Sequence, residues 1–146
     1  MRTLRQQALA ALARREHSRV ELARKLKRTG APLPEAELAR LLDELTRDGL
    51  LSDARFAEAL VRARAPRYGA ARIAQEMRER GVPDALIRAA VAALNASEEA
   101  RARAVWQKRF GAPAACAAER ARQARFLQQR GFSAAVIRRI LGGIEE

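Results

Sequence analysis

The residues with the clearest chemical potential are arginines that have no acidic neighbour in the sequence. The stretch between Glu58 and Glu76 contains no carboxylate, but it holds Arg62, Arg64, Arg67, Tyr68 and Arg72. The stretch between Glu119 and Glu145 is also free of acids, and it holds Arg120, Arg122, Arg125, Arg130, Arg138 and Arg139. A guanidinium without a local counter-ion is suited to bidentate bonds with phosphate or carboxylate. These stretches predict contact with a polyanionic or acidic partner, although a merely solvated helix face is the competing interpretation.

Few residues support catalysis or metal binding. His17 is the only histidine and Cys116 the only cysteine, so neither a zinc site nor a Cys–His nucleophile pair can be completed. Among the acids, Glu76 lies four residues from both Arg72 and Arg80, which is the spacing of ordinary ion pairs on a helix surface. We therefore predict no catalytic residue, no metal and no cofactor.

The elements that position these arginines are helices that end at glycines preceded by basic residues. Three such glycines, Gly30, Gly81 and Gly131, are spaced 51 and 50 residues apart. Large apolar residues recur four and twenty-one positions before each glycine, as Leu26, Met77 and Leu127 and as Leu9, Leu60 and Phe110. A fixed period of this size indicates a repeat architecture, in which each unit is too small to bury its apolar face alone.

Capping residues and the 3.6-residue period predict nine helices, three in each repeat. The first is expected from about Thr3 to Arg15, and Ser18 begins a capping box for the second. Pro34 is placed as the first residue of the third helix, Ser97 opens the seventh, and Ser133 caps the last. No alternating run of β-branched residues predicts a strand. The predicted fold is all-α, with three tandem three-helix repeats covering residues 1–51, 52–97 and 98–146, stacked end to end in an elongated molecule.

Composition agrees with a basic helical protein. The 146 residues include 29 lysines and arginines against 17 acids, a net charge of +12. A GC-rich genome would explain arginine in place of lysine, but it does not explain the excess of bases, which favours a polyanionic partner. Because no long apolar run and no signal-peptide core occur, we predict a cytoplasmic protein without membrane contact.

Four segments in order resemble one family. They are Ser18-Arg19-Val20-Glu21-Leu22, Gly49-Leu50-Leu51-Ser52-Asp53-Ala54-Arg55-Phe56-Ala57, Tyr68-Gly69-Ala70-Ala71-Arg72-Ile73 and Arg125-Phe126-Leu127-Gln128-Gln129-Arg130-Gly131-Phe132-Ser133. At these segments the chain is similar to the RecX family, whose members regulate the RecA recombinase filament. The resemblance implies a curved, elongated molecule that binds in the groove of the RecA–DNA filament. There it would block extension or promote disassembly, and so lower strand exchange and co-protease activity.

The resemblance also implies the partners and the binding surface. The expected partners are the RecA filament and its DNA, single-stranded or double-stranded. The resemblance implies no cofactor, and we expect the protein to be a monomer. The family's basic concave side maps onto Arg64, Arg67 and Arg72, with Tyr68 among them, and onto Arg122 and Arg125 in the third repeat. Counted back from the glycines, Arg72 matches Arg122, and Arg125 matches a first-repeat arginine, Arg24. Tyr68 is placed either to stack a base or to pack between helices. The insertion at Ala31-Pro32-Leu33 separates this chain from the family pattern.

Two other functions fit parts of the sequence. In a helix-turn-helix DNA reader, the segments Ser18–Gly30 and Pro34–Leu45 would be the positioning and recognition helices, with Arg40 and Arg47 facing the groove. The threefold recurrence disfavours it, because the helix pairs of the other repeats would be redundant. A nuclease would need a carboxylate cluster for its metal, which the sequence does not suggest.

Overall fold

The computed structural model describes residues 2–28 and 33–142, and these residues form nine α-helices and no strand. The helices are α1 (Leu4–Arg14), α2 (Arg19–Lys27), α3 (Glu35–Arg47), α4 (Asp53–Arg64), α5 (Ala70–Glu79), α6 (Asp84–Ala96), α7 (Glu98–Arg109), α8 (Ala117–Gln129) and α9 (Ala134–Ile140). The all-helical prediction is therefore confirmed. The predicted stop at Gly30 and two residues of the insertion, Ala31 and Pro32, lie outside the described residues.

Local sequence explains most helix ends. The Ser18 side chain accepts a hydrogen bond from the Glu21 amide while the Glu21 side chain bonds back, so the predicted capping box is present. Ser133 caps α9 in the predicted way by accepting from the Val136 amide. The predicted start of α3 is wrong by one residue. Pro34 has an extended ψ of 131° and stands at the N-cap, so the helix begins at Glu35.

Each group of three helices has its own apolar core. The first core contains Ala8, Ala11, Leu22, Leu26, Leu38, Leu41, Leu42, Leu45 and Leu51. The second contains Phe56, Ala57, Leu60, Ala70, Ile73, Ala74, Met77, Val82, Ile87 and Leu94. The third contains Ala102, Leu127, Phe132, Val136, Ile137 and Ile140. Three separate clusters in sequence order are typical of a repeat stack, in which each unit contacts its neighbours.

The middle helices α2, α5 and α8 meet end to end. The N-terminus of α2 lies against the C-terminus of α5, and the N-terminus of α5 lies against the C-terminus of α8. At the first joint, the Ser18 hydroxyl donates to the Arg80 carbonyl oxygen, and Arg24 donates to the Glu79 carbonyl oxygen over 2.8 Å. Helix N-termini carry partial positive charge and C-termini partial negative charge, so this arrangement is electrostatically favourable.

The second joint repeats this pattern between α5 and α8. The Gly69 amide donates to the Arg130 carbonyl oxygen over 2.7 Å, and Arg72 donates to the Gln129 carbonyl oxygen over 2.9 Å. Arg80 and Arg130 each directly precede a repeat glycine, so the same two carbonyl positions accept bonds at both joints. The joints are therefore built from the helix ends that the glycines create.

A carboxylate from the following repeat completes each joint. Asp53, the first residue of α4, accepts a bond of 2.8 Å from the Arg19 amide at the start of α2. Glu98, the first residue of α7, accepts one of 2.9 Å from the Ala70 amide at the start of α5. The acid of repeat n+1 thus caps the middle helix of repeat n, which ties the repeats into a stack.

Two glycines are required by the closeness of these contacts. Gly81 has a φ of +76°, and a Cβ there would lie 2.4 Å from the Val20 Cβ. Gly131 has a φ of +93°, and a Cβ there would lie 2.5 Å from the Arg72 Cβ. Both the backbone conformation and the space exclude a side chain. Gly81 and Gly131, which the sequence marks as helix stops, are therefore also contact points between repeats.

The stack is elongated, and small-angle scattering should measure this. The accessible surface is 8961 Å², whereas a compact monomer of this mass is expected to expose about 7,400 Å². We expect a radius of gyration above the roughly 15 Å of a compact chain of this length. A globular scattering profile at or below that radius would contradict the end-to-end stacking of the three cores.

Candidate nucleic-acid interface

Four of the six predicted binding residues surround one small cavity. Its volume is about 220 Å³, and its lining consists of Arg64, Arg67, Tyr68, Arg72, Ile73 and Glu76. The residues come from the end of α4, the loop before α5, and the first two turns of α5. The turn between two helices therefore brings the acid-free stretch of the sequence together as a local site.

Arg64 forms an ion pair with Glu76, although no acidic residue lies close to Arg64 in the sequence. Its Nε and Nη2 atoms donate to the two carboxylate oxygens of Glu76, each over 2.9 Å. The hydrogen bond from Arg64 lowers the pKa of Glu76 below its ordinary value, with a further contribution from Arg80 at 3.1 Å. The expectation that Arg64 is unpaired is therefore wrong, because the α4–α5 turn brings it to Glu76. Of the two helix pairs expected of Glu76, the pair with Arg80 is confirmed, and the pair with Arg72 is not formed among the described residues.

Three guanidinium groups surround the Tyr68 ring. Arg72 lies 4.4 Å from the ring centroid, Arg130 lies 5.3 Å and Arg67 lies 5.8 Å away. None of the three forms an ion pair with a carboxylate among the described residues. Three cations around one neutral ring leave a concentrated positive charge, which an anion would relieve.

Arg101 of α7 positions the loop that carries this charge. Its guanidinium donates to the carbonyl oxygens of Ala65 over 3.0 Å, Tyr68 over 2.6 Å and Leu94 over 2.9 Å. It also bonds to Glu98 over 3.0 Å, and Glu98 holds the Ala70 amide on the far side of the loop. The loop between α4 and α5 is thus fixed at both ends by the first helix of the third repeat.

Sequence reasoning missed the role of Glu98, and it named Arg130 in an acid-free stretch without placing it at this site. Glu98 lies in the first turn of α7, and its buried carboxylate also caps α5 by accepting a bond from the Ala70 amide. Arg130 belongs to the basic flank of Gly131, and its Nη1 atom donates to the Arg67 carbonyl oxygen over 3.3 Å. The recurrence of an arginine directly before Gly81 and Gly131 is the sequence signal that could have identified it.

Arg122 and Arg125 do not line this cavity. Both are exposed on α8 and, among the described residues, have no hydrogen bond, ion pair or aromatic contact. Their inferred equivalence to Arg72 and Arg24 does not extend to contacts, because those two arginines bind carbonyl oxygens of a following repeat. Within the described part of the chain, Arg122 and Arg125 are instead unpaired cations on the last middle helix.

Nothing in the described part of the chain resembles a metal or nucleophile site. No group of three or more His, Cys, Asp or Glu side chains is arranged to hold a metal there. His17 is buried with its Nδ1 atom 3.1 Å from the Arg15 carbonyl oxygen, and burial lowers its pKa, which favours the neutral ring. Cys116 is exposed at the start of α8. Within residues 2–28 and 33–142, no helix is long and apolar enough to cross a membrane.

Comparison with known proteins identifies the family. A family model described as the second three-helix domain of RecX matches residues 52–91, and the model of the third such domain matches residues 97–141. The regulatory protein RecX of Ralstonia nicotianae is 50% identical over 98% of this chain and 89% of its own length. The chain belongs to the RecX family. The regulatory protein RecX of Leptothrix cholodnii is 49% identical over 95% of this chain and 87% of its own.

Solved RecX structures have the same fold. The crystal structure of RecX from Lactobacillus salivarius superposes with a TM-score of 0.80 at 19% identity, covering 95% of this chain and 92% of that one. A second crystal structure, of a regulatory protein RecX, gives a TM-score of 0.71 at 21% identity, covering 94% of this chain and 72% of that one. The RecX fold of this chain is thus all-α, with three tandem three-helix repeats stacked into an elongated, curved molecule, as predicted.

Proposed function

We propose that this RecX-family protein binds in the groove of the RecA–DNA filament and mostly inhibits recombinase activity during DNA repair and the SOS response. The observation that carries the proposal is the cluster of Arg67, Arg72 and Arg130 around Tyr68, which has no carboxylate partner among the described residues. The relatives' description as regulatory proteins agrees with a binding role rather than a catalytic one.

The arrangement acts by charge and shape. Phosphates of the filament's DNA, or acidic side chains of the recombinase, accept bonds from the guanidiniums around Tyr68 and from the free cations Arg122 and Arg125. Each neutralised phosphate releases condensed counter-ions, so binding is strengthened by low salt. The joints fix the repeats of the elongated stack relative to one another, so the cationic groups keep a constant spacing along a helical partner. The protein acts as a cytoplasmic monomer and needs no cofactor.

The helix-turn-helix alternative has less support. Its recognition helix would be α3, which carries four acids, Glu35, Glu37, Asp43 and Glu44, against two arginines, Arg40 and Arg47. A helix with excess negative charge is repelled by the phosphates that line the major groove. The joints provide a further argument, because they use the N-termini of α2 and α5 to bind the next repeat rather than DNA.

Co-sedimentation tests the proposed function. RecA filaments assembled on single-stranded DNA, RecA alone and naked single-stranded DNA are each centrifuged with the protein. We expect substantial pelleting with the filament and much less retention by either component alone. Equal retention by naked DNA and by the filament would contradict filament recognition. High affinity for one palindromic duplex, without filament binding, would instead support the helix-turn-helix function.

A further inference from the structure

Guanidinium groups and aromatic rings alternate along one surface that joins the second and third repeats. Arg109 lies 5.2 Å from the Phe126 ring centroid, and Arg130 lies 4.8 Å from the same centroid. Arg130 also lies 5.3 Å from the Tyr68 centroid, and Arg72 follows at 4.4 Å from that ring. We call this series, Arg109–Phe126–Arg130–Tyr68–Arg72, the arginine–aromatic ladder.

The ladder is unlike the rest of the described surface. All six guanidinium–aromatic contacts among the described residues involve Tyr68, Phe110 or Phe126. Phe110 is not in the ladder itself, but its ring meets Phe126 edge-on at a centroid distance of 5.4 Å. The basic residues of the first repeat, by contrast, form several ion pairs, such as Arg5 with Glu44 and Arg19 with Asp43.

The ladder residues remain accessible and lack acidic partners. Arg109 and Arg72 are exposed, whereas Phe126, Tyr68 and Arg130 are half-buried. Among the described residues, none of the three arginines forms an ion pair. Their charge is stabilised mainly by ring faces and by carbonyl oxygens, which interact more weakly than a phosphate does. A phosphate therefore competes well for each guanidinium.

We propose that the arginine–aromatic ladder is a binding track for single-stranded nucleic acid. Phosphates draw Arg109, Arg130 and Arg72 off the ring faces, and unpaired bases then stack on the exposed faces of Phe126 and Tyr68. Alternating basic and aromatic side chains are the means by which proteins bind single strands without reading sequence. A duplex satisfies the phosphates only, because its bases are already stacked on each other. The proposal deepens the function proposed above, and it rests on that function only where the strand belongs to a filament.

The test measures binding of a fluorescently labelled oligothymidylate by anisotropy over a range of salt concentrations. Phe126→Leu removes the stacking face but keeps apolar bulk, and we expect affinity to fall about 5- to 150-fold with an unchanged salt slope. Phe126→Tyr keeps a ring and should bind as the wild type does. Circular dichroism on both variants establishes that the fold is retained, so that a loss restricted to Phe126→Leu reflects the ring.

The charged positions give the complementary result. Arg109→Gln is expected to reduce the salt slope by about 0.7, the value for one phosphate contact on a single strand. Lys108→Gln is the matched control, since Lys108 is an exposed neighbouring cation without an aromatic contact, and its slope should change less. A duplex of equal length should be insensitive to Phe126→Leu.

The proposal is overturned if Phe126→Leu and Arg109→Gln bind the oligothymidylate as the wild type does. It is also overturned if the duplex loses as much affinity as the single strand. Failure of the ladder and failure of the filament function are distinguishable. Variants Phe126→Leu and Arg109→Gln that bind oligothymidylate as the wild type does, while the wild type pellets with the filament, refute the ladder alone. A wild-type protein that binds oligothymidylate but not the filament refutes the filament function alone.

Discussion

Replacing Arg101 with methionine is expected to lower the free energy of unfolding by roughly 3–5 kcal/mol, because it strands the buried Glu98 carboxylate without its counter-ion. The Glu98 side chain is 6% exposed and its Arg101 partner 14% exposed, so water cannot replace the lost bonds well. The carbonyl oxygens of Ala65, Tyr68 and Leu94 also lose their donor. Urea denaturation followed by circular dichroism measures the change.

The matched control is Arg103→Met on the same helix. Arg103 pairs only with Glu99, and both side chains are well exposed, at 53% and 44%. We expect this change to cost less than about 1 kcal/mol. The double variant Glu98→Gln/Arg101→Met should recover part of the loss, because the uncompensated charge is removed. Equal denaturation midpoints for Arg101→Met and Arg103→Met would show that the buried pair does not hold the second joint.

The Arg101 variant also tests the link between stability and the binding surface. Arg101 and Glu98 fix the loop that carries Arg67 and Tyr68, so the loop should open more easily when the pair is broken. Amide hydrogen exchange at residues 65–70 is expected to accelerate more than exchange in the first core. The second repeat's binding surface is thus organised by the first helix of the third repeat.

The parts of the fold that were predicted correctly depend on local pattern. The Ser18 capping box, the apolar stripes and the glycine stops at Gly81 and Gly131 each follow from residues within one or two turns. Leu60, Leu26 and Met77 recur as large apolar residues at fixed distances before the repeat glycines, and all three are buried. Local rules suffice here because a repeat stack is built from short-range packing.

The candidate site was predicted less completely because its contacts are distant in sequence. Arg64 and Glu76 are separated by 12 residues, and Arg130 reaches the Arg67 carbonyl across 63. An argument from acid-free stretches cannot detect such pairs, because the group that neutralises an arginine can be distant in sequence and still lie beside it in the folded chain. Phe126 packs against the third core and is also half-buried beneath two arginines, one of which follows it on the chain while the other comes from α7. The α4–α5 turn decides the first of these contacts and the second joint decides the other, and the pattern of a single helix determines neither geometry.

Reversing the charge of Arg67 and Arg72 together is expected to abolish filament binding while helicity is retained. Both are exposed and have no ion pair among the described residues, so glutamate at each position repels phosphates without leaving a buried charge behind. Because Arg72 also donates to the Gln129 carbonyl oxygen at the second joint, Arg67→Glu alone is measured beside the double variant and should weaken binding without loosening that joint. Arg64 is left unchanged, because a glutamate there would face Glu76 and confound binding with stability. Co-sedimentation with the RecA filament measures binding, and circular dichroism measures helicity.

The double variant Arg40→Glu/Arg47→Glu is the control for net charge. It changes the total charge by the same amount on α3, where both arginines are exposed. We expect it to retain most filament binding, whereas the helix-turn-helix alternative predicts that it loses DNA binding instead. If the Arg67/Arg72 variant still pellets with the filament and the control does not, the proposed surface is wrong. If both variants pellet normally, Arg122→Glu/Arg125→Glu is expected to lose binding, because these free cations on α8 are the remaining predicted contacts.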